Sequence, residues 1–414
     1  MITLLEALGY RCLRYVSRPL GQLQILVGPN ASGKTTFLDV VSFLGTLVSE
    51  GPETAVRERS QNPLDLIWQR HPGTIELAIE ARIPNRFPAL VRAGQHDTIR
   101  YEISLRIDPQ TYEVSIETEK VLFKASNSTP RQARLLFPDV AIHPRTILSR
   151  KSPRVRYVVN KVPNGNDNFY AESGKGWAPS YKLGPRKSAL GNLPADEAGF
   201  PVSGWLRELL RDGVQRIVLN SLLLRQASPP GQVRGFRPDG SNLPWVIQEL
   251  KDKRPDLFRD WVAHVRTALA DVEDIRIVVR EDDKHAYLVI RYAGGLETPS
   301  WVVSDGTLRL LALTILAYLP EFRGIYLIEE PENGIHPTAV ETVYQSLSSV
   351  YEGQVLVASH SPVLLGVAKA EQLLCFAKAA DGGTDVVQGD QHPALRDWRG
   401  EVSLGALLAS GILG

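Results

Sequence analysis

Two rhythms of apolar residues alternate along this chain. Leu23, Ile25 and Val27 recur every second residue, and Phe37, Leu38, Val41 and Leu44 then follow at helical spacing, so a short buried strand leads into a helix. Strand-like alternation returns in Thr74–Ala81 (TIELAIEA), Ile99–Ile107 and Thr111–Ile116, which predicts an antiparallel meander. Ile275–Val279 and Tyr287–Tyr292 predict a second strand pair around a charged turn. Ile325–Ile328 and Gln354–Ala358 are apolar runs short enough to be central parallel strands. Trp205, Leu206, Leu209 and Leu210, then Trp245, Val246, Leu250 and Leu257, keep helical spacing without sustained heptads, so they predict a compact helical lid and not a long coiled coil. The stretch WVVSDGTLRL, residues 301–310, reads as a strand turning sharply into a buried helix at Ser304. The class these elements predict is α/β.

Composition narrows the picture. With 414 residues, 43% of them hydrophobic, the chain can bury a large core in one split domain or two to three packed units. Lys+Arg 47 against Asp+Glu 46 leaves a net charge of +1, so any basic footprint must be local. Cys12 and Cys375 form neither a disulfide framework nor a metal-ligand spacing, which suits a reducing cytoplasm. Glu6 interrupts the apolar N-terminus and no basic leader precedes it, so no export signal is expected. The longest mainly apolar run, Leu310–Leu319, is half of the ~20 residues a membrane span needs, so no membrane partner is expected.

Chemistry concentrates at four places. Gly28 to Thr35 spell G-x-x-x-x-G-K-T between the first strand and its helix, the strand–loop–helix setting a P-loop requires. The glycines let successive backbone N–H groups face phosphate oxygens, Lys34 reaches the β- and γ-phosphates, and Thr35 offers its hydroxyl to Mg²⁺. Asn30 and Thr36 flank the same cradle. The apolar run at 325–328 ends in Glu329 and Glu330, and burying two adjacent acids there is expensive unless a cation or a proton-transfer task keeps them. Glu329 is then the metal-side carboxylate and Glu330 the base that deprotonates the attacking water. His360, at the exit of the 354–358 strand, is placed to contact a γ-phosphate. Ser304 and Gly306 open a helix whose N–H groups form a second anion site, although an ordinary helix cap reads the same way.

In this order, GPNASGKT, VSDGTLR, YLIEEPENGIHP and VASHSP resemble the ABC-type ATPases of the RecF/SMC/OLD kind, AAA-family ATPases met in bacterial DNA repair and anti-phage defence. The resemblance implies an ABC-type P-loop ATPase head split by a helical and loop-rich insertion. Residues 1–125 would form the N-terminal lobe with the Walker A loop, 126–270 the insertion, and 271–414 the lobe carrying signature, Walker B, D-loop and switch histidine. It also implies ATP and Mg²⁺ held by Gly28, Asn30, Gly33, Lys34, Thr35, Thr36 and Glu329, with Glu330 and His360 catalytic. Ser304 and Gly306 would meet the γ-phosphate of a second copy, and Asn333 to His336 would cross to it as the D-loop, so that ATP joins a homodimer or higher oligomer. Two features depart from the pattern. Glu329 stands where many relatives carry aspartate, and the Q-loop has only Gln61 and Gln69 as candidates.

From Pro130 to Lys187 twelve Lys or Arg face three acids, with Tyr157, Phe169, Tyr170, Trp177 and Tyr181 interleaved. That composition suits nucleic acid or an acidic protein partner, and equally a solvated surface loop. The 54 residues after His360 hold no acidic Asp-x-Asp cluster, so the nuclease domain of OLD-type proteins is not expected. Two roles share every motif: a sensor or regulatory scaffold in a defence or toxin system, paired with a separately encoded effector such as a nuclease or toxin, and a RecF-like repair ATPase on DNA. A transporter subunit is set aside, because its head is continuous whereas 270 positions separate Lys34 from Ser304 here.

Overall fold

The structure is a computed structural model that describes residues 1–414 apart from 72, 88–95, 127–133, 141, 175, 177, 233–234, 321, 396–402 and 414. In chain order the first part comprises β1 (Ile2–Tyr10), β2 (Leu13–Pro19), β3 (Leu23–Val27), α1 (Lys34–Glu50), α2 (Pro52–Arg57), β4 (Thr74–Arg82), β5 (Thr98–Ile107) and β6 (Val114–Lys124). The middle part comprises β7 (Arg156–Lys161), β8 (Asp167–Phe169), β9 (Ser180–Tyr181), α3 (Pro201–Arg211), β10 (Val214–Ile217), α4 (Ser221–Arg225), α5 (Leu243–Lys253) and α6 (Pro255–Ala268). The last part comprises β11 (Val272–Val279), β12 (Ala286–Tyr292), β13 (Glu297–Pro299), α7 (Asp305–Thr314), β14 (Ile325–Glu329), α8 (Pro337–Ser348), β15 (Gln354–Ala358), α9 (Pro362–Val367), β16 (Leu373–Lys378), β17 (Thr384–Gln388) and α10 (Leu404–Ala409).

A six-stranded sheet in the order β10-β14-β15-β3-β16-β17 organises the molecule, parallel except for β17. Successive side chains point to opposite faces of a strand. Leu26, Ile325, Leu327, Leu356 and Ala358 therefore pack toward α1, α3 and an eight-stranded antiparallel sheet. Ile25, Val27, Tyr326, Ile328, Val355 and Val357 pack toward α5, α6, α7 and α8. Burial on both faces explains why these strands read as continuous apolar runs. The meander predicted from 74 to 116 is present as β4, β5 and β6 within the antiparallel sheet, except that the third strand starts at Val114, after a turn through 108–113, and runs on to Lys124; the strand pair from 275 to 292 is present as β11 and β12.

The 126–270 stretch, expected as an insertion, contributes strands to both large sheets. Strands β7, β8 and β9 extend the antiparallel sheet beyond β6, and β10 adds an edge to the parallel one. Its helices are not a lid: α3 lies on α1, while α6 packs on α8 and β11.

The start of the WVVSDGTLRL stretch differs from expectation. Residues 301–303 form a turn and not a strand, with the N–H groups of Val302 and Val303 both donating to the Pro299 carbonyl. Trp301 and Val302 are exposed, and Trp301 packs on Tyr287 with ring centroids 4.9 Å apart. Apolar residues here cover the end of a hairpin instead of continuing a ladder.

Candidate nucleotide site

The P-loop, the Glu329–Glu330 pair and His360 collect at the carboxyl ends of β3, β14 and β15, the edge where parallel sheets of helix-flanked strands bind ligands. A cleft of about 350 Å³ opens there, lined by Asn30 to Thr36, Glu329, Glu330, Ala358, His360 and Cys12. Sequence reasoning named Asn30, Gly33, Lys34, Thr35, Thr36, Glu329, Glu330 and His360, and folding brings them together. Gln61 and Gln69 do not line this cleft; Gln69 sits in a separate hollow with Arg14 and Asp381. Cys12 was missed, as was Thr384, whose hydroxyl donates to the Ser32 carbonyl at 2.9 Å and braces the loop from beneath.

The loop's glycines are demanded by geometry. Gly28 and Gly33 have φ of +144° and +104°, and a Cβ would strike the Phe376 carbonyl at the first and the Thr384 hydroxyl at the second. Lys34 folds back over this loop, its ammonium donating to the Gly28 and Pro29 carbonyls at 2.8 and 2.7 Å. Burial lowers its pKa to about 8, against the opposing pull of Glu330 and Glu329. Two carbonyls thus hold the ammonium where phosphate oxygens are better acceptors.

Thr35 and Glu329 meet across the cleft mouth, the Thr35 hydroxyl donating to Glu329 Oε2 at 2.6 Å. One hydroxyl and one carboxylate oxygen at a phosphate-binding loop fit Mg²⁺, which takes few protein oxygens and completes its shell with phosphate and water. The two acids are less buried than the sequence implied: Glu329 is partly buried and Glu330 exposed, because both face an open cleft. Glu330 is held otherwise. Its φ is +48°, a left-handed conformation costing a non-glycine residue about 1–3 kcal/mol. Its N–H donates to the Ala358 carbonyl at 2.8 Å, and its Oε2 accepts from the Asn333 side-chain amide.

His360 is fixed through its backbone. Its N–H donates to Glu332 Oε1 at 2.9 Å, and the Ser359 hydroxyl donates to the same oxygen at 2.7 Å. Burial, then the Lys34 charge, lowers the imidazole pKa, with Glu330 and Glu332 opposing. Glu332 was not singled out from the sequence, although it stands in the same EEPEN run as the two acids.

Ser304 caps α7, accepting from the Thr307 N–H at 3.2 Å. It lies outside the cleft of its own chain, as does Gly306, where a Cβ would strike the Gly334 carbonyl. His336 likewise caps α8, accepting from the Thr338 N–H at 3.4 Å.

Residues 23–366 match the family described as "AAA domain, putative AbiEii toxin, Type IV TA system". The chain belongs to this family. The matched stretch contains the P-loop of residues 28–35, the Glu329–Glu330 pair and His360. No curated protein matches the chain. Among solved structures, an SMC head bound to the C-winged helix domain of ScpA matches with TM-score 0.52 and 15% identity over 93% of this chain and 96% of that one. The SMC head domain from Thermotoga maritima gives 0.45 and 11% over 94% and 98%. An Smc head with an extended coiled coil, bound to the C-terminal domain of ScpA derived from Pyrococcus furiosus, gives 0.47 and 14% over 93% and 95%. The likeness to the first is one of fold.

Proposed function

We propose that this AAA-domain protein binds ATP with Mg²⁺ and hydrolyses it in the cleft between α1 and the ends of β14 and β15. The observation that carries the reading is the meeting of Thr35 and Glu329 beside a strained Glu330. On nucleotide binding, Lys34 exchanges its two carbonyl partners for phosphate oxygens. His360 donates a hydrogen bond to the γ-phosphate. Glu330, oriented by Asn333, accepts a proton from the attacking water as the bond to the γ-phosphorus forms and ADP departs. Thr35 and Glu329 would hold Mg²⁺, which would supply charge to offset what develops on the phosphate oxygens.

Ser304 and Gly306, at a helix N-terminus outside their own chain's cleft, support a site completed by a second copy. Each active site then combines one chain's Lys34 with the other's Ser304. Lys34→Ala and Ser304→Arg proteins should each be inactive, and mixing them should restore ATPase up to about half per mixed dimer, with the gain growing with protein concentration. No restoration, together with a Glu330→Gln protein that assembles identically with and without ATP, would leave Ser304 as a helix cap only.

Such paired heads act as a cytoplasmic sensor or regulatory scaffold in a defence or toxin system with a separate effector; the family description supports only the link to a toxin–antitoxin system. No described helix is long and apolar enough to cross a membrane. One observation favours a nucleic-acid role as well. The strap around 146–149 is anchored on the antiparallel sheet: Glu76 accepts from the Thr146 hydroxyl and the Ile147 N–H, and Glu102 from the Ser149 N–H and hydroxyl. It presents Arg145, Arg150, Lys151 and Arg154 to solvent, whereas Arg156 turns inward to the Ala171 and Glu172 carbonyls. Arg134, Lys161 and Arg186 are already paired with Asp385, Asp167 and Glu113. Of the aromatics, Phe169 is buried, while Trp177, with Arg131 and Lys175, lies outside the described residues. Neutralising the four exposed strap residues should weaken DNA binding and flatten the slope of log affinity against log salt by about 0.9 for each phosphate left without its cation. A parent protein without salt-sensitive binding to DNA or RNA would reduce the strap to a solvated surface.

A further inference from the structure

Arg216 sits at the edge of the parallel sheet, 113 positions before the carboxylate it meets, and no motif announces it. On β10 it pairs in register with Leu327 of β14, and Glu329 follows two residues later on the same face. The guanidinium therefore reaches over Leu327, and its NH2 donates to Glu329 Oε1 at 2.6 Å. Glu329 is divided between two partners, with Oε2 toward Thr35 and the cleft and Oε1 toward Arg216 and a hollow of about 210 Å³ beside α7. Neither oxygen is left to wander.

We propose that Arg216 is a positioning residue for the metal side of the nucleotide site, fixing the long Glu329 side chain so that its Oε2 and the Thr35 hydroxyl oxygen face one Mg²⁺. Glutamate has one more rotatable bond than aspartate, so its carboxylate can swing away from Thr35 unless its far oxygen is held. Arg216 holds it, with a planar donor suited to a carboxylate. A partner of this kind, one bond removed from the metal, characteristically governs metal affinity without touching the metal. Because β10 belongs to the stretch between the two lobes, the same contact ties that stretch's seating on the sheet to the metal site.

The inference rests on the proposed ATP site, and its test separates the two. ATP affinity is measured with Mg²⁺ and with EDTA in a Glu330→Gln background, where turnover does not interfere, and the ratio gives the gain due to the metal. Arg216→Ala should cut that gain about 10-fold or more, the usual cost of losing a ligand's hydrogen-bond partner. Affinity in EDTA should stay unchanged because the P-loop is intact, and Arg216→Lys should recover part of the gain. An unchanged gain, or an equal loss with and without Mg²⁺, overturns the proposal. If Arg216→Ala fails to fold, Glu329→Asp decides: a shortened acid cannot serve Thr35 and Arg216 together, so Arg216→Lys should then cause no additional loss of the metal gain. Additive losses in that cycle would overturn the proposal as well. A parent protein without any metal-dependent ATP binding rejects the ATP-site reading itself.

Discussion

Replacing Glu330 with Gln will leave ATP bound and slow its turnover by about 10²- to 10⁴-fold, the range over which a positioned general base acts. The amide keeps the length and the contact with Asn333, so the cradle of Gly28 to Thr35 is untouched, and only the capacity to take a proton from water is removed. The left-handed backbone at Glu330 makes this position more than an acidic turn: strain of that kind persists only where surrounding contacts enforce it, here the Ala358 carbonyl and the Asn333 amide. Phosphate release and nucleotide affinity measured on the same protein check the expectation. Near-normal turnover would move the base to another residue, and weakened ATP affinity would make Glu330 a structural prop.

Replacing Lys34 with Ala will abolish tight ATP binding. It is the only Lys or Arg among the described residues that line the cleft. Its neutral-pH charge is retained in an environment that already lowers its pKa to about 8, so bound phosphate will raise that value again. The sign follows. Above pH 8 the free protein carries an increasingly neutral amine and must take up a proton to bind, so affinity should fall with rising pH, approaching tenfold per unit. Calorimetry between pH 7 and 9 reads both effects. Undiminished affinity in the Ala variant, or a flat profile in the parent, would remove Lys34 from the phosphates.

What the sequence by itself determined is what neighbouring residues decide among themselves. The P-loop is legible because strand, glycine turn, lysine, threonine and helix are consecutive, and each requirement is satisfied within a dozen residues of backbone. Glu329, Glu330 and His360 were legible because each ends an apolar run, and parallel strands deliver their carboxyl ends to one edge. The 301–303 stretch misled for the converse reason: apolar composition is shared by a strand and by a turn whose side chains cover a hairpin end.

Only the tertiary structure decided the rest. That Gly28 and Gly33 must lack side chains follows from Phe376 and Thr384, more than 340 residues away. That Glu332 holds the His360 backbone, that Glu76 and Glu102 anchor a basic strap, and that Arg216 meets Glu329 are facts of register between distant segments. A shift of β10 by one residue would turn Arg216 to the opposite face of the sheet and leave Glu329 without its second partner. No periodicity encodes such pairings, because an arginine on an edge strand has the same pattern whether it faces water or the Glu329 carboxylate; the ladder that seats β10 against β14 makes the difference.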